Sequence, residues 1–119
     1  MTTKYQLQKQ QALDFFVGEL LKGSKAKDVE KIVLYGSLAW GKPSKESDID
    51  VAIFSRAPKK LEKVVDKVSF ETMMKFGESV EPVLYSKRDL SSPRSYLSWL
   101  VLQKGEPVFD REEKHEYGR

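Results

Sequence analysis

The segment from residue 31 to residue 54 constrains this chain most, because two apolar runs flank a small-residue turn and a pair of acids. Gly36-Ser37 follows Ile32-Val33-Leu34-Tyr35, and after ten residues Asp48-Ile49-Asp50 leads into Val51-Ala52-Ile53-Phe54. β-Branched and aromatic residues favour strands, and each run is short. We therefore predict a buried strand, a tight turn and a second strand.

The two acids are predicted to share one face of the second strand. Side chains alternate between the faces of a strand, so Asp48 and Asp50 project one way while Ile49, Val51 and Ile53 project toward the core. Carboxylates about 6.5–7 Å apart on one face repel each other unless a cation lies between them. The pattern favours a divalent-metal site, with a salt-bridged surface pair as the alternative.

The turn before the acids is suited to phosphate. Gly36 permits a sharp turn, and Ser37 is placed to begin a short helix to Trp40 that Gly41 and Pro43 end. The N–H groups and hydroxyl at a helix start bind phosphate oxygens, and phosphate beside carboxylates indicates magnesium. Neither the Gly-Ser turn nor the acid pair is specific alone. The turn occurs again at Gly23-Ser24, and the acid spacing occurs again in Asp28-Val29-Glu30, which we predict to be a solvated loop.

The combined pattern Gly36-Ser37-x10-Asp48-x-Asp50 resembles the signature of the DNA polymerase β-like nucleotidyltransferase superfamily. The small size of the chain, 119 residues, makes it most similar to the minimal nucleotidyltransferase (MNT) branch. The resemblance covers about residues 10 to 109. It implies an α/β (α+β) fold with a small mixed sheet flanked by helices, two Mg²⁺ ions, and transfer of a nucleoside monophosphate from a triphosphate. We assign catalysis and metal binding to Asp48 and Asp50, and nucleotide binding to Gly36, Ser37, Lys42 and Ser47.

Enzymes of this superfamily use a third carboxylate on a neighbouring strand. Residues 79 to 85 are predicted to form such a strand, and Glu81 is our candidate for the third catalytic and metal-binding acid, with Glu78 in reserve. A surface acid at a strand end is the alternative interpretation of Glu81. Pro82 cannot donate to a neighbouring strand, which predicts an edge strand, a bulge or a strand start.

The sequence departs from the superfamily pattern at Trp40, where a basic residue is usual. We predict that Trp40 packs against the protein rather than stacking on a base. Lys42 or Lys45 in the following loop is then expected to supply a positive charge in place of the missing basic residue.

The rest of the chain is predicted to complete a single domain over residues 1–119. Hydrophobic periodicity predicts helices over residues 5–22, 59–76 and 95–103, with a short strand at residues 107–109. The second helix is long enough to cross over between the strand of Asp50 and the strand of Glu81. Residues 110–119 are expected to form a charged, frayed tail.

Composition narrows the possible partners and location. Acids interleave with the lysine clusters of this chain, whose formal net charge is +3, and no aromatic residues alternate with them, which argues against nucleic acid. No apolar run has the length of a membrane span and no signal peptide is evident, so we expect a cytoplasmic protein. With no cysteine, disulfides and thiolate metal sites are excluded.

We therefore expect a Mg²⁺-dependent nucleotidyltransferase, with AMP from ATP as the expected group. Resemblance to the MNT branch implies a helical HEPN toxin as partner, with one of its tyrosines as acceptor and this chain as a type VII-like antitoxin. Two alternatives stay open: a non-catalytic module that neutralises a HEPN partner by binding, and a basic nucleic-acid-binding adaptor. The sequence leaves the oligomeric state open.

Overall fold

The computed structural model of the protein describes residues 4–41 and 43–112, which form a four-stranded mixed sheet with helices on both faces. This architecture confirms the predicted α/β class. The elements are α1 Lys4–Lys22, β1 Val29–Tyr35, α2 Ser37–Trp40, β2 Ile49–Ser55, α3 Pro58–Phe76, β3 Val80–Ser86, α4 Tyr96–Lys104 and β4 Glu106–Asp110. Two 3₁₀ turns, Ala26–Asp28 and Lys87–Leu90, precede β1 and follow β3.

The strand order is β3-β2-β1-β4. β1 lies antiparallel to both β2 and β4, whereas β2 and β3 are parallel. A parallel pair needs a crossover connection, and α3 supplies it as predicted. β3 lies at an edge of the sheet, which is the first of the three alternatives that Pro82 predicted.

The alternation of side chains along β1 and β2 produces two hydrophobic clusters. On one face, the buried residues Ile49, Val51 and Ile53 pack with the apolar faces of α1 and α3. On the other face, Ala52 and Phe54 pack with Val101 of α4. The face that carries α4 also carries the even-numbered positions of β2, including Asp50.

The ends of the helices follow local sequence signals. Pro58 lies at the first position of α3, and Gly77 ends that helix with φ +69°, a conformation that favours glycine. Ser95 caps α4 through a reciprocal capping box with Ser98, whose N–H donates to the Ser95 hydroxyl at 3.0 Å.

The predicted frayed tail is wrong for its first residues. Asp110 ends β4 and forms an ion pair with Lys31 at 3.5 Å, while the Arg111 guanidinium donates to the carbonyl oxygens of Val29 at 2.9 Å and Ala26 at 2.6 Å. Residues 113–119 of the tail lie outside the described residues. No helix in the described part of the chain is long and apolar enough to cross a membrane.

Candidate active site

Strand register brings the predicted acids together at one end of the sheet. Asp50 lies in β2, and the parallel register places it directly beside Glu81 of β3. Registered residues on parallel strands project from the same face, about 4.8 Å apart at Cα. Asp48 immediately precedes β2, so all three carboxylates are near the starts of two adjacent strands.

Burial of the alternate residues determines which face carries these acids. Ile49 and Val51 are fully buried against the helices on the opposite face, so Asp50 must project toward the α4 face. Asp50 itself is half-buried, whereas Asp48 and Glu81 are exposed. The carboxylates are thus accessible from solvent, at the margin of a well-packed core.

The electrostatics show that the three carboxylates influence one another. Burial raises the pKa of Asp50 above its ordinary value, and the negative charges of Asp48 and then Glu81 raise it further. Within the described residues, no ion pair or hydrogen bond joins these three carboxylates to a cation. The cluster therefore carries negative charge without a described counter-charge.

Tyr35 lies on the same face, paired with Asp50 across β1 and β2. Burial raises the pKa of Tyr35 to about 12, with the nearby charge of Asp50 as the next cause. The phenol is therefore protonated at neutral pH, and its hydroxyl is available as a hydrogen-bond donor beside the acids.

The turn after β1 approaches the acids closely. Gly36 has φ +79° and ψ −156°, a region of backbone conformation essentially restricted to glycine. A Cβ atom at this position would overlap the Asp50 carboxylate. Gly36 is thus required both by the backbone conformation and by the space that Asp50 occupies.

Ser37 begins the short helix α2 directly after this glycine, as predicted. The N–H groups of Ala39 and Trp40 donate to the Gly36 carbonyl oxygen at 3.1 and 2.9 Å and close the turn. The half-buried Ser37 hydroxyl makes no hydrogen bond to another described residue. Within the described residues, nothing competes with a ligand for this hydroxyl, which lies one position after the glycine that contacts Asp50.

Trp40 contacts the protein, as predicted, while its side chain stays 46% exposed. Its indole ring contacts Tyr35 with ring centroids 6.2 Å apart, and its Nε1–H donates to the carbonyl oxygen of Lys104 at 2.7 Å. The indole thereby ties α2 to the C-terminal end of α4.

The loop that precedes Asp48 contains the remaining predicted residues, Lys42, Lys45 and Ser47. The Ser47 hydroxyl accepts a hydrogen bond from the Ser44 N–H at 2.9 Å, so its observed contact stabilises the loop. The Lys45 side chain is exposed, and Lys42 lies outside the described residues. Whether Lys42 and Ser47 bind nucleotide stays a prediction.

Glu78, the reserve candidate for the third acid, is occupied elsewhere. Its carboxylate is buried and forms an ion pair with Lys9 of α1 at 2.5 Å, and it also accepts from the Gln8 amide at 3.0 Å. Both oxygens of this side chain are therefore engaged, so the reserve assignment is wrong, and Glu81 stays the prediction for the third acid.

The donor set agrees with magnesium, although no three His, Asp or Glu side chains among residues 4–41 and 43–112 stand close enough together to hold an ion by themselves. Mg²⁺ prefers oxygen ligands, keeps several waters and is commonly bound by one or two carboxylates together with substrate phosphates. Asp48 and Asp50, with Glu81 beside Asp50, would supply such ligands, and Ser37 follows directly on the glycine that lies against Asp50.

The two acids predicted to lie in a solvated loop are buried instead: Asp28 ends the 3₁₀ turn before β1, and Glu30 belongs to the sheet. Glu30 lies in β1 with its side chain 5% exposed, and it pairs with Arg56 at 3.0 Å and Lys87 at 3.6 Å. It lines a cleft of about 580 Å³ toward the far end of β1 from Tyr35. The cations around Glu30 balance its charge, in contrast to the acids near Gly36.

Comparison with known proteins agrees with this geometry. The family model for polymerase β nucleotidyltransferases matches residues 19–114. Because that match covers most of the chain, the protein belongs to the polymerase β nucleotidyltransferase family. None of the curated proteins is similar enough in sequence to be recognised as a relative.

Solved structures share the fold at low sequence identity. A candidate nucleotidyltransferase from Sulfolobus solfataricus is 15% identical with a TM-score of 0.57, covering 92% of this chain and 87% of its own. A toxin–antitoxin complex crystallised with AMP-PNP is 20% identical with a TM-score of 0.60, over 86% and 77% of the two chains. A mutant of the toxin–antitoxin MntA-HpeT, with two aspartates two positions apart changed to glutamate, is 19% identical with a TM-score of 0.59, over 85% and 76%.

Replacement of Gly36 by alanine is expected to destabilise the protein by at least about 3 kcal/mol, because it adds overlap with Asp50 to backbone strain. Gly77→Ala is the matched control: its φ is also positive, but a Cβ there meets nothing within 4 Å. It should cost only about 1 kcal/mol. Urea unfolding of both variants measures the difference, and equal losses would show that Asp50 does not occupy the space above Gly36.

Asp50→Asn is expected to raise the melting temperature of the metal-free protein at neutral pH by a few degrees. Folding raises the pKa of Asp50, so protonation favours the folded state, and native stability falls as pH rises from the ordinary value of 3.8 through the raised one. The asparagine variant does not undergo this loss of stability. The difference in free energy of unfolding between the variant and the native protein should therefore grow across that pH interval and then remain constant.

Chemical unfolding from about pH 3 to pH 8 measures this difference. Asp66→Asn, at an exposed acid of α3, is the control and should change stability little. Lower stability of Asp50→Asn than of the native protein at neutral pH would contradict the repulsion inferred for the cluster.

Proposed function

We propose that this protein is a Mg²⁺-dependent nucleotidyltransferase that transfers AMP from ATP to a hydroxyl group of a protein partner. The observation that carries the proposal is the register of Asp50 with Glu81, beside Gly36 and Ser37, in a chain of the polymerase β nucleotidyltransferase family. Three carboxylates without a described counter-charge, next to an unpaired hydroxyl, suit a metal–triphosphate substrate.

Each residue would have a distinct role. Asp48 and Asp50 would ligate both ions, and Glu81 would ligate the ion nearest the acceptor. Gly36 permits the backbone to approach the β and γ phosphates, while the Ser37 hydroxyl donates to a phosphate oxygen. When bound, Mg²⁺ lowers the pKa of the attacking hydroxyl and neutralises charge on the leaving pyrophosphate.

The transfer is a single displacement at the α phosphorus. The acceptor oxygen forms a bond to this phosphorus as the bond to the bridging oxygen of the β phosphate breaks. Pyrophosphate leaves with that electron pair, and the hydroxyl proton passes to the Glu81 carboxylate. The role of the fold is to hold the acids and the phosphates in line.

The partner we propose is a helical HEPN toxin, with one of its tyrosines as the acceptor. The support is the resemblance to the MNT branch and the likeness in fold to toxin–antitoxin complexes, one of which contains AMP-PNP. The acid pair changed in one of those complexes has the same two-residue spacing as Asp48 and Asp50. Modification of the toxin would make this chain a type VII-like antitoxin.

A second candidate function is neutralisation of the toxin by binding alone. Trp40 motivates it, because the position that is usually basic is committed to packing against Tyr35 and Lys104. Exposed apolar side chains on two helices are available for contact with a partner: Phe70, Met73 and Met74 on α3, and Tyr96 and Trp99 on α4.

Incubation of the co-purified complex with α-labelled ATP and Mg²⁺ is expected to label the partner, and EDTA should abolish the label. Asp48→Ala with Asp50→Ala should reduce the rate at least about a hundredfold. Glu62→Ala with Asp66→Ala, an exposed acid pair on α3, is the matched control and should label normally.

Two outcomes would contradict catalysis. Native protein that leaves the partner unlabelled, or an Asp48→Ala, Asp50→Ala variant that labels it at the native rate, would overturn the transferase proposal. Neutralisation of toxicity by that double variant as complete as that by native protein would instead support binding alone.

A further inference from the structure

We propose that Lys9 is a positioning residue for the acid cluster, an inference that rests on the proposed transferase function. Lys9 lies in the N-terminal half of α1, and its side chain is fully buried although lysine is rarely buried. A buried ammonium group is costly unless several acceptors surround it, so its partners indicate what it does.

The Lys9 ammonium donates to acceptors on two separate segments. It contacts the Glu78 carboxylate at 2.5 Å, the carbonyl oxygen of Ser47 at 2.6 Å and, more weakly, the carbonyl oxygen of Lys45 at 3.4 Å. Ser47 directly precedes Asp48, and Glu78 lies three positions before Glu81. One side chain therefore joins the segments that lead into the two acid-bearing strands.

Neighbouring hydrogen bonds reinforce this junction. The Gln8 amide donates to Glu78 at 3.0 Å and to the carbonyl oxygen of Phe76 at 3.0 Å, fixing the carboxylate from its other side. The Ile49 N–H donates to the carbonyl oxygen of Ser79 at 2.8 Å, which begins the pairing of β2 with β3. The Lys9 contacts thus lie directly before the point at which the two strands meet.

The loop before Asp48 has few other anchors among the described residues. Its visible hydrogen bonds are internal, between Ser44 and Ser47, and do not attach the loop to the rest of the fold. The Lys9 ammonium supplies that attachment. Without it, Asp48 is expected to move relative to Asp50 and Glu81, while the core beneath Ile49 remains packed.

Two variants separate positioning from stability. Lys9→Met with Glu78→Met removes both charges together, which avoids leaving one buried and unpaired, but it also removes the donor to Ser47. Glu78→Gln removes the negative charge and leaves the buried Lys9 ammonium without its counter-charge, which should lower the melting temperature, but it keeps the donor to Ser47. A purely structural role predicts that loop order follows the melting temperature in both variants, whereas positioning predicts that it follows the presence of Lys9.

Amide hydrogen exchange of full-length protein tests this directly, with Ser47 and Ile49 as reporters and the amides of α3 as an internal reference. In the double-methionine variant the reporters should exchange at least about tenfold faster relative to α3, the effect of losing a charge-assisted hydrogen bond. In Glu78→Gln the ratio of reporter exchange to α3 exchange should stay within about twofold of the native value, whatever the melting temperature of the variant. An unchanged ratio in the double variant would overturn the proposal.

The labelling assay tests whether the contacts of the Lys9 ammonium affect catalysis. AMP transfer, corrected for the folded fraction, should fall at least about tenfold in the double-methionine variant and persist in Glu78→Gln. Full transfer by the double variant despite faster exchange would overturn the positioning role. If native protein transfers no AMP, the proposed function fails, and hydrogen exchange alone decides whether Lys9 holds the loop.

Discussion

The parallel pairing of β2 with β3 is the constraint on which the candidate site depends. It registers Asp50 with Glu81 and leaves no freedom to separate them without breaking the sheet. The pairing requires a crossover, and α3 provides it while burying Leu61, Val65 and Val68 against the sheet. The helix that completes the hydrophobic core thus also fixes two negative charges side by side.

The acids at the two ends of this sheet differ in whether nearby cations balance their negative charge. Glu30 is almost fully buried, and Arg56 and Lys87 neutralise it. Asp50 is half-buried, and after burial itself the negative charges of Asp48 and Glu81 are what raise its pKa. Such repulsion lowers the stability of the folded protein, and the cation site that we propose is one function for which it would be retained.

The elements that carry a strong local pattern were predictable from sequence. α1 and α3 have a clear helical periodicity, and Pro58 and Gly77 mark the ends of the second. The site was predictable in part, because Gly36 and the acid pair each adjoin an apolar strand. Glu81 was predicted from the alternation of side chains between the two faces of β3. Its position beside Asp50 depends on the register between β2 and β3, and no local sequence pattern indicates that register.

The remaining misses share a cause: a polar residue gained its role from a distant partner. Glu30 looked like a loop acid because its partner Arg56 lies 26 positions away. Glu78 looked like a spare ligand because the Lys9 ammonium that pairs with it lies 69 positions away, and no local pattern marked Lys9 as its partner. Asp110 and Arg111 looked like a frayed end because their partners on the neighbouring strand, Lys31 and Val29, are distant in sequence, with Arg111 and Val29 82 positions apart.

Binding of Mn²⁺ in place of Mg²⁺, followed by the EPR signal of the free ion with and without AMP-PNP, tests most directly whether the acids form a cation site. Native protein should bind Mn²⁺ more tightly when AMP-PNP is present, and Asp48→Asn with Asp50→Asn should weaken that binding at least about tenfold. Glu62→Gln with Asp66→Asn should leave it unchanged. Equal affinity of the native protein and the Asp48→Asn, Asp50→Asn variant would contradict the account.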